Sequence, residues 1–116
     1  MINKDFFKKI RILDGGMGQE LLARGMKPNS TLWSANAILD ANYHQLVLDT
    51  HVDFIKAGAE VIVTTTFATR QKRLKENSLL DKFEYLNQKS GEIAQAAKQH
   101  FPNTYIACGI PPENLT

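Results

Sequence analysis

Six consecutive β-branched residues, Val61 to Thr66, constrain the fold of this chain more than any other feature. A run of this composition is typical of a strand that is covered on both faces, as in a parallel sheet. Shorter apolar runs occur at Ile10–Leu13 and Tyr105–Cys108, and two segments with helical spacing, 43–57 and 81–100, separate the three runs. The order strand, helix, strand, helix, strand predicts an α/β fold with three parallel strands joined by right-handed crossovers.

Local signals mark the ends of the predicted helices. Asn42 can cap the start of the helix 43–57, and Gly58 follows its end. A shorter helix is expected at Gln19–Arg24, where Gly25 can take a left-handed closing conformation.

The composition of the 116 residues excludes several classes of function. Lys and Arg total 14 against 12 Asp and Glu, with both signs mixed along the chain, so the broad positive field that binds nucleic acid is absent. No apolar stretch approaches the roughly 20 residues of a membrane span, and none resembles a signal peptide. The single cysteine, Cys108, cannot form an internal disulfide, which is typical of a reducing compartment. We therefore expect a cytoplasmic protein that binds neither nucleic acid nor membrane.

Three loop segments are expected to meet at one edge of the predicted sheet. They are the residues that follow the three strands, 14–18, 64–67 and 108–112. Ligands bind at the carboxyl ends of parallel strands, because the loops there vary without disturbing the sheet. A functional site is therefore predicted at this edge.

The segment Asp14-Gly15-Gly16-Met17-Gly18 is the strongest candidate for ligand binding. It does not fit a dinucleotide or phosphate loop, since the third glycine of G-x-G-x-x-G would fall at Leu21 and Asp14 would repel a phosphate. A carboxylate beside glycine amides instead suits a zwitterionic amino acid, whose ammonium group would bind Asp14. The alternative is that Asp14 only caps the short helix that follows.

These motifs resemble those of the zinc-dependent homocysteine S-methyltransferases. Residues 12–21, I-L-D-G-G-M-G-Q-E-L, are similar to the family's opening motif D-G-G-M-G-T-E-L, and Leu32-Trp-Ser-Ala35 matches its L-W-S-A. Residues 51–67 resemble H-x-D-[FY]-[IL]-x-A-G-A-[DE]-[VI]-I-x-T-x-T-[FY], and residues 106–112 resemble a variant third-strand motif, G-x-L-P-P. The resemblance extends from about Ile10 onward.

The resemblance implies a (β/α)8 barrel in which a zinc-bound homocysteine thiolate takes a methyl group from a small donor to give methionine. Coordination to zinc removes the thiol proton and so produces a nucleophile. By this resemblance Asp14 would hold the substrate ammonium group, and amides around Gly16 to Gly18 would approach its carboxylate. The implied substrate-binding residues are Asp14, Gly15, Gly16, Met17, Gly18, Thr66 and Phe67.

Length sets the expected domain organisation. A (β/α)8 barrel needs about 250 residues, so residues 1–116 are expected to be the N-terminal portion of one, a partial TIM barrel with about the first three strands. The family's zinc ligands are three cysteines near strands six and eight, and this sequence has one cysteine, Cys108, at another position. We therefore expect zinc in the complete family enzyme but none in this chain alone, and we assign no catalytic residue. Cys108 itself is expected to be a small apolar filler.

Three further features have structural interpretations. His44 and His51 are seven residues apart, on one face of a helix, and are expected to be solvated. The basic segment Arg70–Lys75 is expected to be a solvated helix face, since acidic residues follow it. Trp33 has two open interpretations, as part of a substrate pocket or as a residue that fastens its loop.

Two hypotheses of function follow. In the first, the chain is the N-terminal part of a homocysteine S-methyltransferase, inactive by itself. In the second, it is a non-catalytic module. In either case the unpaired edges of the three strands predict a homo-oligomer or a complex with a complementary chain.

Overall fold

The computed structural model describes residues 2–112 and has an α/β fold. Its strands are β1 (Val61–Val63) and β2 (Tyr105–Ala107). Its α-helices are α1 (Met17–Ala23), α2 (Asn36–Leu39), α3 (His44–Lys56), α4 (Gln71–Glu76) and α5 (Phe83–Lys98). Short 3-10 turns lie at Lys4–Lys8, Trp33–Ala35, Ala41–Tyr43 and Leu80–Lys82. None of the helices between residues 2 and 112 has the length and apolar character needed to cross a bilayer.

The sheet has two parallel strands, as the crossover pattern predicts for this pair. Val61 pairs with Tyr105 and Val63 with Ala107. β1 is shorter than the β-branched run because the chain turns after it, where the Thr66 amide donates to the Thr64 carbonyl oxygen at 2.8 Å.

The predicted first strand is reduced to a single parallel bridge between Leu13 and Val61. The backbone of this segment still lies beside β1, since the Glu60 amide donates to the Ile12 carbonyl oxygen at 2.8 Å. Three regular strands are therefore not seen in the described chain. The segment is poorly covered, with Ile10 91% and Leu13 60% exposed, so little packing favours an extended strand there.

The helix α3 begins one residue later than the predicted helix, and Asn42 does not cap it. Asn42 lies in a 3-10 turn that Asp40 caps, its amide donating to the Asp40 side chain at 3.0 Å. The helix ends at Lys56, one residue before the predicted end, and Gly58 closes it as predicted with a φ of +121°. Gly25 likewise closes α1 with a φ of +106°.

Two larger clusters of apolar side chains and a small third one around Leu32 form the core. One joins α1, α2, α3 and α5 through fully buried residues that include Leu21, Ile38, Val47 and Leu86. The other lies between the sheet and the long helices, where Ile62 of β1 packs with small residues of α5. The two long helices therefore support the strand that leads into the predicted site.

The predicted solvation of His51 is wrong. This side chain is fully buried, and neither ring nitrogen has a hydrogen-bond partner within residues 2–112. Its helical position explains the burial, because Val47 lies one turn before it on the buried stripe of α3. Burial disfavours the charged imidazolium and lowers the pKa of His51 to about 4. His44 is half-buried and its Nε2 lies 2.6 Å from the Ile38 carbonyl oxygen.

The basic segment at α4 is also only in part a solvated face. Lys72 and Lys75 are exposed, but Arg70, Arg73 and Leu74 are buried. Acidic residues nearby in sequence therefore did not indicate which of the cations reach solvent.

We predict that the burial of His51 makes the free energy of unfolding fall below neutral pH. Its folded pKa of about 4 lies below the ordinary value of 6.5, so the unfolded chain takes up the proton first. The stabilising difference is present above pH 6.5 and is lost as the pH falls toward 4. Urea unfolding at pH 7 and pH 5 should show a loss of about 2 kcal/mol from this residue.

The variant His51→Leu isolates the effect from that of carboxylates that titrate in the same range. Its loss of stability between pH 7 and pH 5 should be smaller than that of the native chain by the stated amount. His100→Gln, at an exposed position, is the control and should retain the native dependence. Equal slopes for the native chain and His51→Leu would contradict the prediction.

Candidate functional site

A cavity of about 560 Å³ lies at the carboxyl end of β1. Its lining includes the whole predicted binding segment Asp14–Gly18, together with Phe67. The residues that end β1 form another part of the wall. The predicted edge of the sheet is therefore the place where these two chain segments meet.

Asp14 is held at the floor of this cavity by the neighbouring strand. Its Oδ2 accepts a hydrogen bond of 2.9 Å from the Val63 amide, and its own amide donates to the Val61 carbonyl oxygen at 3.0 Å. Partial burial raises the pKa of the Asp14 carboxyl, and the hydrogen bond from Val63 opposes this effect. The ionised form is thus desolvated and favours a cationic partner.

The alternative role of Asp14 as a helix cap is excluded. Helix α1 begins at Met17, its N-cap residue is Gly16, and no side chain makes a capping hydrogen bond. The Asp14 carboxylate instead bonds to a strand 49 residues away in sequence.

Gly15 lies where the loop closely approaches the Phe54 side chain of α3. A Cβ atom at this position would lie 2.9 Å from Cε1 and 3.2 Å from Cζ of Phe54. At Gly16 and Gly18 an added Cβ would make only ordinary contacts, 3.8 Å or longer. The ring of Phe54 therefore supports the loop from behind and sets how closely its backbone packs against α3.

Thr66 lies outside the lining of the cavity. Its hydroxyl donates to the Gly109 carbonyl oxygen at 2.9 Å and lies 3.0 Å from the Thr64 hydroxyl. It joins the segment after β1 to the segment after β2. Of the predicted binding residues, Asp14 to Gly18 and Phe67 are together at the cavity, and Thr66 connects this region to the third loop.

Thr65 is a cavity residue with an unpaired hydroxyl. Its Oγ1 is buried and has no hydrogen-bond partner within the part of the chain that the structure describes. Its carbonyl oxygen accepts a hydrogen bond of 3.1 Å from the buried Ser90 hydroxyl of α5. Helix α5 thereby fixes the backbone at this point of the wall.

The loop before α2 supplies a wall that sequence patterns did not indicate. Met26, Pro28, Asn29 and Ser30 line the cavity with Trp33. The segment has no apolar periodicity, so the sequence indicates only its Trp33 as a possible pocket residue. Its fold depends on Asn29, whose Oδ1 accepts hydrogen bonds from the amides of residues 31 and 32 at 3.1 and 2.8 Å.

Trp33 combines the two roles that its sequence position allows, as a pocket residue and as a residue that fastens its loop. Its ring lines the cavity and stacks with Phe67 at a centroid distance of 6.0 Å and an interplanar angle of 16°. Its indole N–H donates to the Ser30 carbonyl oxygen at 3.1 Å, which fastens the loop. The guanidinium of Arg73 lies 4.2 Å from the centroid of the Trp33 ring system.

Cys108 is exposed, so the prediction that it is an apolar filler is wrong for the chain described. It follows the last residue of β2, where residues 2–112 provide no layer to cover it. Within those residues no three His, Cys, Asp or Glu side chains are grouped to hold a metal ion. The donor set present does not fit zinc, which takes three protein ligands in catalytic sites.

Comparison with known proteins relates this site to a family. The family model for homocysteine S-methyltransferase matches residues 11–116. The chain is 35% identical over 101 residues to homocysteine S-methyltransferase 2 of Zea mays, covering 86% of this chain and 29% of that protein. It is also 35% identical over 79 residues to homocysteine S-methyltransferase 2 of Saccharomyces cerevisiae, covering 61% of this chain and 24% of the yeast protein.

A similar fold occurs in a solved structure. The metallated form of the homocysteine methyltransferase MmuM from Escherichia coli superposes with a TM-score of 0.76 at 28% identity, over 91% of this chain and 39% of that one. The chain thus spans well under half the length of each of these relatives. With the family model matching nearly all of its residues, the chain belongs to the homocysteine S-methyltransferase family.

Proposed function

We propose that this chain forms the N-terminal portion of a homocysteine-binding (β/α)8 barrel that methylates homocysteine to methionine. The observation that carries the proposal is the cavity at the end of β1, lined by Asp14 to Gly18 and by Phe67. The substrates would be homocysteine and a small methyl donor, and the enzyme would act in the cytoplasm. A further part of the barrel would supply the metal ligands, because the described residues contain no group of three side chains that could bind the ion.

In the proposed complex Asp14 receives the ammonium group of homocysteine. The hydrogen bond from Val63 fixes the carboxylate, and its partial desolvation strengthens a charge-assisted bond to the ligand. The amides around Gly16 to Gly18 would face the substrate carboxylate. Phe67 and Trp33 would contact the apolar part of the ligand, and Thr66 would support the wall through Gly109.

A second, non-catalytic function is favoured by the apolar surface next to the sheet. Ile10 is 91% and Leu13 60% exposed in the segment that lies on one side of β1, and Ile110 is 90% exposed after β2 on the other side. Exposed apolar side chains beside unpaired strand edges are typical of surfaces that bind protein. In this alternative the chain is a binding module that pairs with itself or with a complementary chain. Both functions require another chain segment to cover the sheet. Stoichiometric zinc and methyl transfer in the assembled protein would indicate the enzyme, and their absence would indicate the binding module.

We predict that the chain by itself neither binds zinc tightly nor methylates homocysteine. The reason is the number of ligands, since catalytic zinc needs three protein ligands and this sequence offers one cysteine and three separated histidines. Metal analysis after mild chelation should give substoichiometric zinc. Addition of the remaining part of the barrel, taken from the E. coli relative, should produce a stoichiometric site. Stoichiometric zinc in the chain alone would contradict the prediction.

In a barrel completed in this way, Asp14→Asn should weaken homocysteine binding by about 1.5–3 kcal/mol, because a charge-assisted hydrogen bond is lost. Folding should change little, since the asparagine side-chain oxygen can still accept from the Val63 amide. Calorimetric titration with homocysteine measures the effect. Asp40→Asn is the matched control, because Asp40 caps a turn outside the cavity. Unchanged affinity of Asp14→Asn with a lowered melting temperature would indicate a structural role only.

We further predict that the chain alone is a homo-oligomer joined through the sheet edge and its exposed apolar residues. Sedimentation at micromolar concentration should show species larger than the 13.0 kDa monomer. Ile10→Glu should shift the population toward monomer, because burying an unpaired charge in an apolar interface is costly. Leu80→Glu, at an exposed position before α5, should not. A compact native monomer that unfolds cooperatively would refute this prediction.

A further inference from the structure

Trp33 has an unusual backbone conformation at the wall of the cavity. Its φ is +50°, in the left-handed region that a bulky residue seldom adopts. The side chain is 39% exposed, so burial in the core does not impose this conformation. Contacts from other elements must therefore offset its cost.

One such contact comes from Arg73 of α4. The Arg73 guanidinium lies 4.2 Å from the centroid of the Trp33 ring system, and its Nη1 donates to the Thr31 carbonyl oxygen at 3.1 Å. One planar group thus contacts both the ring and the backbone of the same loop. Arg73 is only 9% exposed, and desolvation strengthens a cation–π interaction.

Phe67 provides the second contact from the other segment of the wall. Its ring stacks with Trp33 at 6.0 Å, and it follows β1 directly after the threonine run. The position of the indole is therefore determined jointly by α4 and by the end of the strand. Both Trp33 and Phe67 line the cavity, whereas Arg73 does not.

We propose that Arg73 is a positioning residue for the cavity, because it holds Trp33 against Phe67 and keeps the loop wall in place for the substrate. The proposal rests on the proposed function only in taking homocysteine as the ligand of the cavity. Arginine suits this role better than lysine, since a planar guanidinium can stack and donate at once whereas an ammonium is a compact point charge.

The sole tryptophan of the sequence reports directly on this arrangement. In Arg73→Gln the Trp33 emission should shift to longer wavelength and acrylamide quenching should increase, with far-ultraviolet circular dichroism confirming the fold. Arg73→Lys should lie between Arg73→Gln and the native chain. Lys72→Gln, at an exposed position on the same helix, is the control and should match the native chain.

Native emission and quenching in a folded Arg73→Gln would overturn the proposal, whatever the ligand of the cavity. If Arg73→Gln does not fold, the same two measurements on Arg73→Lys decide the matter, because the lysine stem preserves much of the packing while stacking is lost.

Kinetics in the completed barrel then test the effect on the substrate. Arg73→Gln should raise the KM for homocysteine about fivefold, the loss expected for one cation–π contact, with little change in kcat. Arg73→Lys should restore part of the affinity. An unchanged KM would overturn the positioning role, whereas a native barrel without methyl transfer would refute the proposed function and leave the fluorescence result standing.

Discussion

The hydrogen bond from the Val63 amide to the Asp14 carboxylate is the interaction on which the site depends. It joins the end of β1 to the glycine segment across 49 residues of sequence. Because the same segment also pairs with β1 through Leu13, backbone hydrogen bonds fix where the carboxylate lies relative to the end of the strand. The floor of the cavity is thus held by the same kind of hydrogen bonds that hold the sheet. The loop wall, by contrast, is held by side chains, with Asn29 ordering its turn and Arg73 fixing its aromatic ring.

Much of the framework could be predicted from the sequence, because its causes are local. The β-branched run located β1, and the apolar spacing located α3 and α5 within one or two residues. The extra strand predicted at Ile10–Leu13 is a single bridge, because its apolar side chains have few partners in the described chain. An apolar run indicates a strand only when something covers it.

Most parts that sequence patterns missed depend on contacts between distant residues. His51 is the exception, because helical spacing places it one turn after Val47 on the buried stripe, and its solvation was wrongly expected since histidine is compatible with either environment. Spacing likewise allowed Asp14 to be a helix cap, and only the position of Val63 decides against it. The contact of Arg73 with the Trp33 loop spans 42 residues and has no local signature.

The parallel pairing of β1 with β2 also bears on the order in which the chain can fold. Parallel strands cannot be joined by a tight turn, so the sheet forms only after the whole crossover through α4 and α5 has been placed. The loop-closure entropy is paid before any strand hydrogen bond forms. The hydrogen bonds within each helix are local and need no such closure. Single helices can therefore form ahead of the strands, but the core that joins α1 to α5 brings together segments even farther apart in sequence than β1 and β2. The ligand cavity, whose wall combines residues of β1 with the loop before α2, acquires its shape only when such distant segments have met.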